Sequence, residues 1–260
     1  MKIIFFGDIV GRPGREAIKK IIPQWQKKYQ PDLIIANGEN VAHGSGITEK
    51  TLEELFQAGI DVVTSGDHIL KKKQNQDLLK KKGIALVRPA NLPKGSLGQG
   101  SYLIEIRTKK VLIVNLIGQF SFELGQTNPF KKIDQIIKEN KSKADTIIVD
   151  FHAEATAEKV CLGWYLDGRV SAVLGTHTHI PTADEKILPQ KTAYITDIGM
   201  VGVKDSSLGR DKDDAIMRNI LEEKVNMGVP EGPVEINAVQ LIIDKNGKAK
   251  KIKRIQEIIA

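Results

Sequence analysis

Through the N-terminal third of the chain, short apolar runs alternate with amphipathic stretches: "KIIFF", "DLIIAN" and "DVVTSGDH" are separated by "GREAIKKIIPQWQKKY" and "ITEKTLEELFQAG". The apolar runs read as buried strands, and the stretches between them carry apolar residues at helical spacing. This β-α-β-α order predicts a sheet with a parallel half and crossover helices. Thr48 stands where a helix N-cap is expected, and Gly59 lies just past the end of the same helix. A Lys-rich helical stretch is expected between "GDH" and "GIALVR".

Farther along the chain the pattern changes. "SYLIEIRT" and "KVLIVNLIG" around "TKK" read as a hairpin, as do the two C-terminal runs around "KNG". "NPFKKIDQIIKENK" reads as a helix, and "ADTIIVDFHAE", "VSAVLGTHTH" and "TAYITDIGM" read as three strands. No repeat or low-complexity linker forces a boundary, so residues 1–260 are expected to form one domain.

An apolar fraction of 41% with 27% charged residues is that of a soluble globular protein. No apolar stretch approaches the roughly 18 residues that a membrane span needs. The apolar start "MKIIFF" breaks too early for a signal peptide, so a cytoplasmic protein is expected. Cys161 is the single cysteine, which excludes an intrachain disulfide and a cysteine-based zinc site; it is expected to be a small buried residue. The net charge of +7 comes mostly from Lys runs such as "LKKKQ" and "KNGKAKKIKR", with few aromatics among them. A solvated Lys-rich surface accounts for them and is compatible with attraction of phosphate-bearing substrates.

The polar residues that follow the apolar runs carry the functional signal. "KIIFF" leads to Asp8, "DLIIA" to Glu39 and Asn40, "DVVTS" to Asp67 and His68, "TIIVD" to His152, and "VSAVL" to His177 and His179. In open α/β sheets, sites form beyond the carboxyl ends of the strands, so these residues are expected to converge. Carboxylates, an Asn carbonyl and imidazoles are the mixed ligands of Mn, Fe or Zn. The set exceeds the needs of one ion; two ions about 3.5–4 Å apart, sharing a carboxylate, are the arrangement that hydrolyses phosphate esters. His43, in a Gly-rich loop, reads as a surface residue. "GDIVGRPG" spaces its glycines differently from a dinucleotide-binding loop, which argues against a Rossmann dehydrogenase.

These residues resemble the YmdB-like bacterial branch of the calcineurin-like metallophosphoesterases. The likeness runs through "GDIVGRPGREA", "ANGENVAHGSGIT", "GDH", "RPANLPKG", "NPFKKID", "DFHAEATAEK", "GTHTHIPTAD" and "YITDIGMVG" in that order. It implies an α/β four-layer sandwich of two mixed β-sheets flanked by α-helices, and a tendency to form homo-oligomers. It also implies that Asp8 and His179 bind one metal with Asn40 assisting, that Glu39 bridges, and that Asp67, His152 and His177 hold the second ion. The ions would be Fe or Mn, with Zn as the other option. The expected reaction is hydrolysis of a phosphodiester, such as a 2′,3′-cyclic nucleotide to the 3′-nucleotide, by a metal-bridging hydroxide, with His68 as general acid. Two departures stand out: the superfamily's Asp-x-His motif is Asp8-Ile9-Val10 here, and Asp67 stands where the family usually has Asn. The added carboxylate is expected to tighten metal binding and weaken the Lewis acid. Rival expectations are an RNA-binding or regulatory protein with a structural metal site, and an RNA phosphodiesterase whose Lys runs track the backbone; salt-dependent RNA binding without turnover, and oligonucleotide turnover, discriminate them.

Overall fold

The computed structural model describes residues 1–71, 77–81, 83–222 and 225–260. Its apolar runs pair into two sheets. The first contains β1 (Lys2–Ile9), β2 (Leu33–Asn37), β3 (Val62–Thr64), β4 (Leu86–Val87), β11 (Met200–Val203), β12 (Val234–Ile243) and β13 (Ala249–Ile259), in the order β13-β12-β11-β1-β2-β3-β4. The second contains β5 (Ser101–Ile106), β6 (Lys109–Ile117), β7 (Thr146–His152), β8 (Ala172–Thr176), β9 (Lys186–Ile187) and β10 (Ala193–Ile195), in the order β5-β6-β7-β8-β10-β9. Both are mixed. β1 to β4 run parallel, as do β6, β7, β8 and β10, while the expected hairpins β5/β6 and β12/β13 add antiparallel edges.

Strand alternation assigns each side chain to a layer. Ile3, Phe5, Leu33, Ile35 and Val62 of the first sheet meet Val111, Ile113, Ile148, Ala172 and Leu174 of the second in a shared buried core. On the outer face of the first sheet, Ile4, Phe6 and Ile34 pack against α1 (Gly11–Tyr29) and α2 (Glu49–Gln57). On that of the second, Leu112, Val114 and Val149 pack against α3 (Pro129–Asn140) and α4 (Thr156–Tyr165). Helix, sheet, sheet and helix make the four-layer sandwich. Each large apolar side chain so buried contributes about 1.5–3 kcal/mol. A further helix, α5 (Lys212–Leu221), leads toward β12. No helix among the described residues is long and apolar enough to cross a membrane.

Local sequence explains the helix starts. Thr48 and Thr51 form a reciprocal capping box on α2, and the Asn128 side chain accepts from Phe130 and Lys131 N–H with Pro129 at the first turn of α3. Gly7 and Gly14 of "GDIVGRPG" serve close backbone packing: a Cβ on Gly14 would lie 2.4 Å from the Val201 carbonyl oxygen. The Lys-rich helix expected after "GDH" falls in part on residues 72–76 and 82, outside the described residues; of the rest, Asp67–Leu70 is a 3-10 turn and residues 77–79 are helical.

Two expectations change. Cys161 is exposed, because α4 turns Lys159, Leu162 and Gly163 inward and the intervening position faces away. "TAYITDIGM" is not one strand: it holds β10 of the second sheet and reaches β11 of the first only at its last residue, Met200. The chain crosses between sheets at Asp197-Ile198-Gly199, where Asp197 accepts from Gly199 N–H at 2.8 Å and Gly199 adopts φ of +93°. The Asp197 carboxylate is buried, receives the buried Lys159 ammonium at 2.7 Å, and accepts from Thr178 N–H and Oγ1–H at 3.1 and 2.8 Å. Asp197→Ala strands the Lys159 charge and is expected to cost about 3–5 kcal/mol in urea denaturation. Lys159→Met, which leaves Asp197 its Thr178 and Gly199 donors, is expected to cost clearly less; equal losses would contradict this assignment.

Candidate metal centre

At the carboxyl ends of the central strands the layer between the sheets changes from apolar to polar. β2 places Asn37 on the face that carries Leu33 and Ile35, β7 places Asp150 and His152 on the face of Ile148, and β8 places Thr176 on the face of Leu174. Asp150 links the sheets: Oδ2 accepts from Thr64 Oγ1 at 2.5 Å and Asn37 Nδ2 at 3.1 Å, and Oδ1 accepts from Thr176 Oγ1 at 2.7 Å. These groups are fully buried and form the floor of the cluster.

A break in register delivers Asp8. Ile3 and Phe5 of β1 pair with Leu33 and Ile35 of β2, but the register shifts after Phe6, so that Asp8, not Gly7, stands opposite Asn37. One extra residue in a strand transfers the next side chain to the other face. Asp8 therefore enters the layer between the sheets instead of the helix layer. The same point marks a change of partner, from β12 for Lys2 to Phe6 to β11 for Asp8 and Ile9.

On this floor stand four groups whose ligand atoms lie within 4.8 Å of one another: Glu39, Asp67, His152 and His177. His152 Nε2 is 3.2 Å from Glu39 Oε1, 3.6 Å from Asp67 Oδ1 and 3.0 Å from His177 Nδ1. Gly66 makes room for them, since a Cβ there would lie 2.0 Å from Glu39 Oε2 and 2.3 Å from His152 Nε2. Beside the four, His179 Nε2 and Asp8 Oδ1 are 3.7 Å apart. Asn40 joins the two groups: its Nδ2 donates to His179 Nε2 at 3.1 Å and Glu39 Oε1 at 3.3 Å, and its Oδ1 lies 2.7 Å from His68 Nδ1. All eight residues picked out at the strand ends are thus brought together. His43 is not among them; it is exposed, with its carbonyl accepting from Arg210.

The loop bearing His177 and His179 is strained. Both residues adopt positive φ, +101° and +66°, which non-glycine residues rarely do. His177 N–H donates to Asp8 Oδ2 at 3.1 Å, Thr178 is held by Asp197, and His179 Nδ1 lies 2.9 Å from the Leu208 carbonyl. These bonds from three other segments hold a conformation the loop would not keep alone. Phe122 walls one side, edge-on to His177 with ring centroids 5.0 Å apart. Sequence reasoning did not find Asp150, Thr176, Glu154 or Phe122. Asp150 had a signal, two residues before His152 in the same strand; Phe122 had none.

Electrostatics describe a site short of positive charge. Burial pushes the Asp8 carboxyl up to about 7, against the pull of His179 and His152. Burial would raise Glu39 too, but the His152 charge and hydrogen bond hold it near 2. Asp67 is likewise lowered in spite of burial, by His152, His68 and Lys71, whose Nζ is 3.1 Å from Oδ2. Burial alone would lower His152, yet Glu39, Asp67 and Asp8 raise it well above its usual range. Burial and the neighbouring His152 charge push His177 down to about 3. Asp8 Oδ1 and Asp67 Oδ1 are buried with no hydrogen-bond partner. Orphaned carboxylate oxygens beside converging ring nitrogens suit metal cations.

The His152 imidazole, raised well above its usual range, and the Asp8 carboxyl, raised to about 7, would both give up protons to a metal ion bound here. Metal uptake at pH 7 is therefore expected to release at least one proton, and affinity to fall about tenfold or more per pH unit on acidification. Titrating Mn²⁺ into weakly buffered protein with a pH indicator measures the release; pH-independent uptake with no proton released would contradict this account.

Comparison with known proteins agrees with the geometry. The chain is 46% identical to a 2′,3′-cyclic-nucleotide 2′-phosphodiesterase of Bacillus subtilis, over 98% of this chain and 96% of that protein. A crystal structure of a Mycoplasma pneumoniae protein described as a novel phosphatase superposes with a TM-score of 0.92 at 38% identity, covering 99% of this chain and 93% of that one. A hypothetical protein from Thermus thermophilus superposes with a TM-score of 0.93 at 36% identity, covering 99% of each chain. The family model for YmdB-like proteins matches residues 4–255, and the chain belongs to that family.

Proposed function

We propose that this protein is a metal-dependent phosphodiesterase that opens 2′,3′-cyclic nucleotides at the 2′ ester, giving 3′-nucleotides. The observation that carries this is the convergence of Glu39, Asp67, His152 and His177 beside Asp8, Asn40 and His179 at the edge of the layer between the sheets. The substrate class follows the likeness to the Bacillus subtilis enzyme.

Glu39, Asp67, His152 and His177 would hold one metal ion and Asp8, Asn40 and His179 a second, with Glu39 between them; Mn or Fe suits the mixed carboxylate and imidazole donors. Ions so held would make water nucleophilic at neutral pH and offset charge on the phosphoryl oxygens. Asn40 would assist through its carbonyl oxygen, which accepts from His68 Nδ1–H and keeps a second lone pair for a cation. The remaining chemistry belongs to His68. Its Nδ1 is directed at Asn40, which orients the ring, and in the imidazolium form Nε2 holds the proton delivered to the departing 2′ oxygen as the P–O bond breaks. Burial lowers the His68 pKa, which makes the imidazolium a stronger acid. Phe122, beside His177, would exclude water from that side.

His68→Ala is expected to reduce kcat on 2′,3′-cyclic AMP by about 10²–10⁴-fold with metal content unchanged. The loss should shrink on a p-nitrophenyl phosphodiester, whose leaving group needs no proton; equal losses would sink the general-acid role. Glu39→Gln should abolish turnover and lower metal content together. An oligonucleotide turned over faster than the cyclic mononucleotide would move the assignment to an RNA phosphodiesterase.

A further inference from the structure

The two histidines that face each other in the cluster use different ring nitrogens. His152 points Nε2 inward, and His177 points Nδ1 inward, 3.0 Å away. Each has a carboxylate behind its outer nitrogen. His152 Nδ1 lies 2.9 Å from Thr176 Oγ1, and that hydroxyl donates to Asp150 Oδ1 at 2.7 Å. His177 Nε2 lies 3.0 Å from Glu154 Oε2. Asp150 and Glu154 flank His152 two residues away on either side, so one extended segment supplies a ring and the acceptors behind both rings.

We infer that Asp150, through Thr176, and Glu154 are positioning residues that set opposite tautomers in this pair: Nδ1–H on His152 and Nε2–H on His177. The argument is one of proton counting. Thr176 has a single hydroxyl proton, and it goes to the Asp150 carboxylate, which already accepts from Thr64 and Asn37 on its other oxygen. The Thr176 oxygen can then only accept from His152, so the proton sits on Nδ1 and the Nε2 lone pair faces inward. The Glu154 carboxylate accepts from His177 Nε2–H, which leaves the Nδ1 lone pair inward. Two lone pairs 3.0 Å apart repel unless a proton or a metal ion lies against them. The arrangement therefore selects an electropositive occupant, and acceptors behind metal-bound imidazoles hold ring orientation in just this way.

Substitution at Asp150 is informative because it changes what the Thr176 hydroxyl can donate to. In Asp150→Asn, a carbonyl oxygen that keeps the Thr64 and Asn37 donors turns the new NH₂ toward Thr176. The Thr176 hydroxyl then has to donate to His152 Nδ1, which moves the ring proton to Nε2, into the cluster. Thr176→Ser keeps the hydroxyl and Thr176→Val removes it. Glu154, about half exposed, can be altered with little risk to the fold: Glu154→Gln still offers a carbonyl acceptor, and Glu154→Leu offers none.

The test uses full-length protein with Zn²⁺ as a diamagnetic probe and two readouts other than turnover. One is the ¹⁵N–¹H correlation spectrum of the histidine rings, which reports the protonated nitrogen; the other is Zn²⁺ affinity by competition with a chromophoric chelator. Wild type is expected to show N–H on His152 Nδ1 and His177 Nε2. Asp150→Asn and Thr176→Val should lose the His152 Nδ1 signal and bind Zn²⁺ about 10–100-fold more weakly, with Thr176→Ser close to wild type. Glu154→Leu should affect only the His177 signal, with Glu154→Gln restoring it. If Asp150→Asn fails to fold, the Glu154 pair still decides the matter for His177 and the Thr176 pair for His152. The proposal is overturned by reversed ring protonation in wild type, or by folded variants with unchanged spectra and affinity within about twofold. The inference rests on the metal-site part of the proposed function. Wild type that takes up no Zn²⁺ overturns both, whereas uptake with the reversed protonation overturns this proposal alone.

Discussion

The contact on which the site depends is the hydrogen-bonded carboxylate of Asp150. It belongs to β7 of the second sheet and accepts from β2 and β3 of the first as well as from β8 of its own. Apolar packing holds two sheets together without specifying how one is displaced against the other. The two directed bonds that cross from Asn37 and Thr64 to one buried carboxylate do specify it. Because Glu39, Asp67 and Asp8 come from the first sheet's side and His152 and His177 from the second's, any sliding between the sheets would separate the ligands of one cluster. Burial pushes the Asp150 carboxyl upward, and the charge of His152 and its three donors oppose that shift. Desolvation of this acid is the cost of the alignment.

Above this floor, geometry that is locally unfavourable is held by groups from elsewhere. The register break in β1 gives up regular pairing and places Asp8 among the ligands. His177 and His179 adopt positive φ, and the loop between them is tied to Asp197, which is itself neutralised by Lys159 from α4. A buried lysine on an outer helix thus helps to fix the loop that bears two of the inward-facing rings. Crowding of carboxylates then does the electrostatic work. Glu39, Asp67 and Asp8 raise His152 well above its usual range, so the charge pattern favours a cation. Asp67, the acid at a position where Asn was expected, has its second oxygen against Lys71, which offsets part of the added charge.

Much of this was legible in the chain. The strand and helix order follows from apolar runs alternating with amphipathic stretches, since a run apolar on both faces must lie in a covered sheet. Thr48 and Asn128 signal their helices through side chains that satisfy the first free N–H groups. The ligand candidates were legible for a related reason: Asp8, Glu39, Asn40, Asp67, His68, His152, His177 and His179 all follow strands, and parallel strands end on one edge. Local patterns failed where a residue's environment is made by distant segments. Cys161 sits in an apolar stretch yet faces outward, because helical phase relative to the sheet decides burial. "TAYITDIGM" looks continuous, yet its strand ends at Ile195 and the chain crosses at Asp197 to the other sheet, where β11 begins at Met200.

The sequence by itself determined which chemistry the protein can hold and at which edge of the sheets it gathers, because side-chain type and strand order are local properties. Tertiary structure decided which atoms meet. The shift that turns Asp8 inward, the Asp150 bonds between sheets, the opposed ring nitrogens of His152 and His177, and the Phe122 wall all arise between segments far apart in the chain. Direction and distance of that kind are set by packing and register, which no spacing along a single strand encodes.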